Sequence, residues 1–425
     1  MYKVIIMNMK RTVIIITVII TLITITSLFS GCEKDETVPV LTPKSFNLTE
    51  GATEVINSSN DFGIELFTKV AQEEEDNFML SPLSASAALT MLLNGCNGDT
   101  YKQLRSALKY PDEMTLEDIN GTYNSLVDQL LEADKKVELA LANAIFYRDG
   151  FNVKGPFLNS MQTDFSAYIE SLDFGSPSAL DVINGWASDN TNGKIEKVLD
   201  QISGDAVMFI MNALYFKGNW SYKFDETLTE DKIFYPDGSN PVMVSTMSGK
   251  VGVKIYTSDD YRVVELPYGR TNFTMVVIVP EGSVGDFNTS FSNNVWNNIT
   301  DGLNSQEEYG DTEVWMPGFK FSYEKYLNNQ LKSMGMTYAF DPYLADLSDI
   351  SDSQIYVDFV KQNSFIEVNE EGTEAAAVTT IGVNLTSVPA QPYVFKIDKS
   401  FVFAIRERTT NTILFIGQVQ NPANE

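Results

Sequence analysis

Hydrophobic residues at helical spacing predict several helices. Four large apolar residues recur on one helix face: Phe62, Leu66, Phe67 and Val70. Ser81 followed by Pro82 has the form of an N-cap and first turn, with Gly95 as the stop of that helix. Thr115 to Asp118 has the form of a capping box before another helix. A further helix is predicted near Asp181 to Asn190.

Continuous apolar runs predict strands in much of the remaining chain. Ala206 to Phe216 is the longest run and predicts a strand buried on both faces. Shorter runs also predict strands: Phe273 to Val279, Ile355 to Val360, Phe365 to Val368, Phe401 to Ile405 and Ile413 to Val419. Because strands and helices are interspersed unevenly, the pattern indicates an α+β fold, not a regular βαβ repeat.

The first 31 residues have the pattern of a secretory signal. They begin with three basic residues, Lys3, Lys10 and Arg11, and continue as an uncharged apolar run over residues 12–29. Two small residues then precede Cys32, and this order resembles the lipobox of bacterial lipoproteins. The resemblance implies lipidation of Cys32 and anchoring to the bacterial outer membrane, with the protein exposed at the cell surface. A retained transmembrane signal anchor is the alternative.

Residues 32–59 are polar and predict a tether between the anchor and the body. The acidic cluster from Glu33 to Glu36 resembles surface-export tags of some Gram-negative lineages, although a solvated charge run explains it equally well. The body then runs from about Asn60 to Glu425 without a second linker. The sequence therefore predicts a single domain over residues 60–425.

The charge balance excludes several partners. The chain has 30 bases and 57 acids, a net charge of −27. Removal of the first 31 residues takes away three bases and no acids, so 27 bases remain against 57 acids, or −30. A surface this acidic repels nucleic acid, and no basic run suits heparin-like polyanions. We expect a monomer that contacts the membrane only through its lipid.

The chain contains no histidine and only two cysteines. Absence of histidine removes Ser-His-Asp and Cys-His nucleophile pairs as well as HExxH zinc sites. If Cys32 carries lipid, Cys96 has no internal disulfide partner, and we expect a buried, inert thiol. We expect no metal and no cofactor.

One enzyme interpretation rests on two short motifs. Ser322 and Lys325 match SxxK, and Ser188 to Asn190 match SDN, as in penicillin-interacting serine enzymes. Their order is reversed and no KTG follows. We therefore expect that the protein is not an enzyme.

One segment near the C-terminus is uncharged although the chain is very acidic. No charge follows Glu374 until Lys396. A solvent-exposed loop is normally polar, and three consecutive alanines pack poorly in a core strand. In an extended chain one face carries only uncharged residues: Thr373, Ala375, Ala377, Thr379, Ile381, Val383 and Leu385. That face can enter a sheet without burying a charge; an Ala-rich turn plus an edge strand is the alternative.

This segment, NEEGTEAAAVTT, resembles the hinge and reactive-centre loop of inhibitory serpins. Seven other stretches resemble serpin motifs in the same order: NFMLSPLSASAALTML, LANAIFYRDGF, NGWASDNTNGKI, MNALYFKGNW, ELPYG, MPGFKF and FVFAIRERTTNTILFIGQVQNP. The resemblance covers most of the body. It implies the serpin fold, with three β-sheets, eight or nine helices and an exposed reactive loop over about residues 371–392.

The resemblance also implies roles for individual residues. In serpins the loop inserts as a new central strand of the largest sheet, starting from its hinge. The hinge would comprise Glu370, Glu371, Gly372, Thr373, Glu374, Ala375, Ala376 and Ala377. The shutter and breach of that sheet would comprise Ser81, Ser84, Asn212, Gln362 and Trp220. Gln362 departs from the family pattern, because many members have histidine there.

Counting along the family pattern from Gly372 places the reactive bond at Thr386–Ser387. The neighbouring bonds Leu385–Thr386 and Ser387–Val388 are also candidates. The resemblance implies a suicide-substrate inhibitor of serine and also cysteine endopeptidases, in which the cleaved loop inserts and distorts the acylated protease. A non-inhibitory binding protein with the same fold is the alternative.

Target specificity is assigned to three loop residues: Val383, Leu385 and Thr386. Thr386 is small and β-branched, which favours elastase-like or subtilisin-like proteases over trypsin-like ones. With Leu385 before it, a papain-like protease is a further candidate.

Overall fold

The computed structural model describes residues 41–373 and 393–424. The described part contains nine α-helices: α1 (Ala52–Ala71), α2 (Pro82–Leu93), α3 (Gly98–Ala107), α4 (Leu116–Leu131), α5 (Gly155–Asp164), α6 (Pro177–Asn190), α7 (Val284–Ser290), α8 (Asn293–Asn304) and α9 (Asn328–Ser333). None of the helices in these two ranges is long and apolar enough to cross a bilayer.

The same ranges contain fifteen strands: β1 (Phe78–Leu80), β2 (Val137–Arg148), β3 (Tyr168–Leu172), β4 (Met208–Asn219), β5 (Glu230–Phe234), β6 (Val242–Thr257), β7 (Tyr261–Pro267), β8 (Phe273–Pro280), β9 (Gly310–Pro317), β10 (Phe319–Tyr326), β11 (Lys361–Asn369), β12 (Gly372–Thr373), β13 (Val394–Lys396), β14 (Phe401–Glu407) and β15 (Thr412–Val419). The predicted α+β class is confirmed.

Local signals place the helix starts as predicted. The Ser81 hydroxyl accepts a hydrogen bond from Ser84 N at 3.3 Å, and Pro82 occupies the first turn of α2. Thr115 and Asp118 form both hydrogen bonds of the capping box that begins α4. The predicted helices α1 and α6 are present, although both begin earlier than the apolar spacing indicated.

The sheet that contains Gly372 and Thr373 has six strands in the order β10-β11-β12-β4-β2-β3. β4 pairs with β2 along almost its whole length, and β11 pairs in the same way with β10. Between the two pairs lies the two-residue strand β12, which bonds to β11 on one side and β4 on the other. The strand β12 is therefore the third of the six strands and lies in the middle of the sheet.

The other nine strands form two sheets that share β6. Residues 246–253 of β6 pair with β9, and residues 254–257 pair with β7. Together with the six-stranded sheet this gives the three sheets that the resemblance implied. Helix α2 packs against β4 on one side and β15 on the other, so it fills the space between two sheets. Almost all its residues are therefore buried.

Two strand predictions need correction. Residues 355–360 are irregular, and the strand begins only at Lys361. The backbone of this apolar run forms hydrogen bonds with separate segments and not with a neighbouring strand. Val357 N donates to Ala339 O at 2.8 Å, and Val360 O accepts from Leu327 N at 2.8 Å. The long run is a strand from Met208, but its first five residues are only half-buried. Phe209 and Met211 lie at the edge of a small cluster around Ile183, and Met208 and Ile210 lie at the edge of the main core.

The predicted end of the tether, residue 59, is also wrong, because α1 begins at Ala52. Val55 and Ile56 are buried in the core. Polar residues that suggested a tether are buried with partners: Ser59 Oγ lies 3.0 Å from Ser86 Oγ, and Ser58 Oγ donates to Lys109 O at 2.9 Å. Polar composition was misleading here because hydrogen bonds compensate the burial.

Candidate functional site

Two residues of the predicted hinge, Gly372 and Thr373, lie as strand β12 inside the six-stranded sheet. Gly372 is paired with Asn219 of β4 and Asn369 of β11, and Thr373 is opposite Gly218 and Val368. Among the described residues, no ladder joins β4 to β11 directly. Neighbouring strands lie 4.7–4.9 Å apart, so β12 separates β4 from β11 by roughly 9.5 Å. The hinge therefore enters the sheet between these two strands.

Gly372 is the residue that permits this close approach. Its φ of +148° is a backbone conformation that side-chain-bearing residues rarely adopt. A Cβ at this position would lie 2.1 Å from Gly218 O and 2.7 Å from Asn219 Cα. Because both neighbours are backbone atoms of β4, they cannot move aside. Glycine is therefore needed where the hinge meets β4.

The turn before Gly372 is held by backbone hydrogen bonds. Trp220 N donates to Glu371 O at 2.8 Å, and Phe224 N donates to Glu370 O at 3.2 Å. The Trp220 indole Nε1 donates to Asn369 O at 2.9 Å. All three carbonyls of the turn thus accept bonds from the segment that follows β4. Trp220, predicted at the breach, lies directly beside the hinge.

Two side chains of the hinge turn have partners that the sequence did not predict. Thr229 Oγ1 donates to Glu370 Oε1 at 2.5 Å. Lys223 Nζ forms an ion pair with Glu371 Oε2. Both partners come from the segment after β4, about 140 residues earlier in the chain. No local pattern of the sequence joins such distant residues.

Tyr268 also contacts the hinge and was not singled out, although it belongs to the ELPYG motif. Its ring stacks on Trp220 with centroids 4.4 Å apart and planes at 14°. Its hydroxyl lies 2.6 Å from Thr373 Oγ1. Burial raises the pKa of Tyr268 above its usual range, while the Thr373 hydrogen bond opposes that effect. The phenol is therefore a neutral partner for Thr373.

The predicted shutter residues make two separate contacts. Gln362 bonds the backbone of Ser81 in both directions: Ser81 N donates to Oε1 at 3.1 Å, and Nε2 donates to Ser81 O at 2.9 Å. Ser84 contributes its backbone N–H to the Ser81 cap. Asn212 instead donates from Nδ2 to Asn143 Oδ1 of β2 at 2.6 Å. Asn143 was missed because a polar residue in an apolar strand gives no sign of its partner.

Replacement of Gln362 by leucine is expected to lower the free energy of unfolding by about 1–3 kcal/mol. Ser81 N would lose its acceptor, whereas Ser81 O would keep the helical bond from Ala85 N. Urea unfolding followed by circular dichroism measures the effect. Asn363→Leu is the control, because Asn363 bonds the exposed Glu324. Equal stability of the two variants would contradict the expectation.

Several predicted residues lie outside the described ranges: Cys32, Glu374, Ala375, Ala376, Ala377, Val383, Leu385, Thr386 and Ser387. Their assignments remain predictions. Cys96 is buried, as expected, and burial raises the pKa of its thiol. Ser322 and Lys325 are three residues apart on β10, so they point to opposite faces of the sheet. Lys325 is paired with Glu73 and Glu74, so the SxxK motif does not assemble a nucleophile pair.

The fold and the site define an α+β protein whose six-stranded sheet receives Gly372 and Thr373 between β4 and β11. The profile described as Serpin (serine protease inhibitor) matches residues 57–422, and the chain belongs to the serpin family. Members of this family are generally protease inhibitors, not enzymes.

Three relatives illustrate the similarity. The chain is 32% identical to an uncharacterized serpin-like protein of Methanosarcina acetivorans, over 88% of this chain and 89% of the relative. It is 33% identical to Iripin-5 of Ixodes ricinus, over 86% of this chain and 94% of the relative. The crystal structure of the thermophilic serpin tengpin in the native state superposes with a TM-score of 0.78 at 30% identity, over 89% of this chain and 97% of tengpin.

Proposed function

We propose that the protein is a suicide-substrate inhibitor of serine endopeptidases, and also of papain-like cysteine endopeptidases. The observation that carries this proposal is the position of β12. Gly372 and Thr373 pair with both β4 and β11, and Thr373 is only 3% exposed. The residues that follow in sequence keep an uncharged face in register with Thr373. That face can extend the same strand without burying a charge.

In this mechanism the protease nucleophile attacks the carbonyl of the reactive bond, which we place at Thr386–Ser387. The peptide C–N bond breaks, the Ser387 amine leaves with a proton, and Thr386 becomes an ester or thioester of the protease. The freed segment of about fourteen residues spans ~45–50 Å when extended. Its insertion between β4 and β11 carries the acylated protease away before water hydrolyses the bond.

The driving force is the conversion of unpaired backbone into ladder hydrogen bonds on both sides. Each inserted residue meets β4 on one edge and β11 on the other, as Gly372 and Thr373 already do. Inhibition is then a competition between insertion and hydrolysis of the acyl-enzyme. A chain that inserts slowly is released as a cleaved substrate.

We propose elastase-like, subtilisin-like or papain-like targets from Val383, Leu385 and Thr386. We also propose export, lipidation at Cys32 and exposure at the bacterial outer membrane, supported by the N-terminal pattern of residues 1–32. Such a location would place the inhibitor where proteases from outside the cell are first met.

To test the proposal, a protein comprising residues 32–425 is incubated separately with elastase, subtilisin, papain and trypsin. We expect a protease adduct that survives SDS with one of the first three, and a marked rise in the melting temperature after loop cleavage. The melting temperature is measured by differential scanning calorimetry. Cleavage with neither an adduct nor a gain in stability would reject inhibition and favour a non-inhibitory binding protein. Preferential trapping of trypsin would reject the proposed specificity.

A further inference from the structure

Glu371 is a nearly buried carboxylate at the point where the hinge enters the sheet. Its side chain is 9% exposed, and its Oε2 pairs with Lys223 Nζ. A buried carboxylate is unfavourable unless a positive charge or hydrogen-bond donors compensate the lost hydration. Lys223, whose side chain is 33% exposed, supplies that positive charge.

The two charged residues follow the ends of the two strands that the hinge separates. Lys223 lies four residues beyond the end of β4, and Glu371 lies two residues beyond the end of β11. Their ion pair therefore bridges the end of the sheet across the width that β12 occupies. The bond from Thr229 to Glu370 spans the same ends. We call the Lys223–Glu371 pair the hinge clamp.

The hinge clamp forms while Gly372 and Thr373 are seated between β4 and β11. The Glu371 and Gly372 amides both donate to Asn369 Oδ1, at 3.0 and 3.3 Å, so the turn that aims Glu371 at Lys223 also aims Gly372 into the sheet. Withdrawal of Gly372 would disturb that turn and the ion pair together. A contact made in one state and lost in the other shifts the equilibrium between them.

We infer that Lys223 is a positioning residue for loop insertion: through the hinge clamp it holds the hinge seated and so favours trapping of the protease over its release. The part of this inference that concerns trapping rests on the proposed function. The part that concerns hinge seating does not, because seating can be measured without a protease.

Lys223→Met tests the inference, since it removes the charge and keeps the side-chain length. We expect faster deuterium uptake in peptides covering residues 218–219 and 369–373, and a roughly three- to tenfold rise in the moles of inhibitor consumed per mole of protease trapped. The rate of loop cleavage should stay unchanged, because the clamp does not contact the reactive bond. Lys223→Arg should restore both quantities.

A double-mutant cycle separates the clamp from general loss of stability. Glu371→Gln should resemble Lys223→Met, and the two together should be no worse than either alone. Lys102→Met, which breaks an exposed ion pair with Asp99, is the control and should change neither quantity. Unchanged exchange in Lys223→Met, or additive effects in the cycle, would overturn the inference. Faster exchange in Lys223→Met, together with a wild type that traps no protease, would support the inference on hinge seating and refute the proposed function alone.

Discussion

Replacement of Thr373 by arginine is expected to convert the protein from an inhibitor into an ordinary protease substrate. Thr373 lies between Gly218 and Val368 with its hydroxyl on the buried Tyr268 hydroxyl. An arginine there would have to bring a positive charge into a space closed by an aromatic ring. The cost of burying an unpaired charge is several kcal/mol. Insertion of the loop would therefore stop at position 373, the second residue of β12.

The measurement is the fraction of elastase or subtilisin found in an SDS-stable adduct, alongside the melting temperature of the cleaved protein. For Thr373→Arg we expect almost no adduct, complete cleavage and a much smaller gain in melting temperature. Thr373→Ser is the matched control, because it keeps the hydroxyl at Tyr268 and should trap protease nearly as well as the wild type. An arginine variant that forms as much adduct as the serine variant would contradict loop insertion at this position.

Replacement of Arg406 by methionine is expected to cost about 3–5 kcal/mol in the free energy of unfolding. Arg406 of β14 donates from Nη2 to Glu265 Oε2 of β7 at 2.6 Å, and both side chains are fully buried. Asn411 and Asn304 accept further bonds from the same guanidinium. Methionine fills a similar volume but leaves Glu265 without its main counter-charge. The loss comes mainly from that unpaired carboxylate.

The deficit of Arg406→Met should grow as the pH rises. Burial alone raises the pKa of Glu265, but the Arg406 charge and hydrogen bond outweigh it, so the pKa lies below its usual range. In the wild type this pair contributes stability above the ordinary glutamate pKa, and the contribution is lost as the pH falls. In the variant burial dominates, the pKa is raised, and stability is lost as the pH rises. Both effects increase the stability difference between the wild type and the variant as the pH rises toward 7.

Urea unfolding at about pH 4 and about pH 7 measures this divergence around the ordinary pKa of glutamate. Arg262→Met is the control, because Arg262 lies on β7 with Glu265 and pairs with the exposed Glu281. This replacement should lower the free energy of unfolding by at most about 1 kcal/mol. Adding Glu265→Gln to Arg406→Met should recover part of the loss at pH 7. A deficit that is equal at both pH values would show that lost packing, not the carboxylate, is responsible.

Features that depend on neighbouring residues could be predicted from the sequence. Ser81 and Thr115 were recognised as helix caps because a cap bonds three residues ahead. The hinge is assigned by the resemblance of NEEGTEAAAVTT to the serpin loop, because the uncharged run alone also fits an Ala-rich turn plus an edge strand. Of the eight assigned hinge residues, Gly372 and Thr373 lie in the six-stranded sheet between β4 and β11. The uneven order of strands and helices indicates only the α+β class. The particular fold within that class follows from the family resemblance.

Features that depend on distant residues could not be predicted. Lys223 and Glu371 are 148 positions apart, and neither stands out among 57 acids and 30 bases. The first polar residues of α1 suggested a tether because their acceptors lie on other segments, as the bond from Ser58 to Lys109 shows. The apolar run at residues 355–360 has the composition of a strand, but its amides bond to single residues of other segments. In each case tertiary contacts decided the outcome.

The contacts described between Ser81 and Gln362, and between Asn143 and Asn212, use only amides, a backbone N–H and carbonyls. None of these groups gains or loses a proton in physiological media, and the chain has no imidazole that could do so. Acidification of the surroundings would therefore leave these two contacts of the six-stranded sheet unchanged.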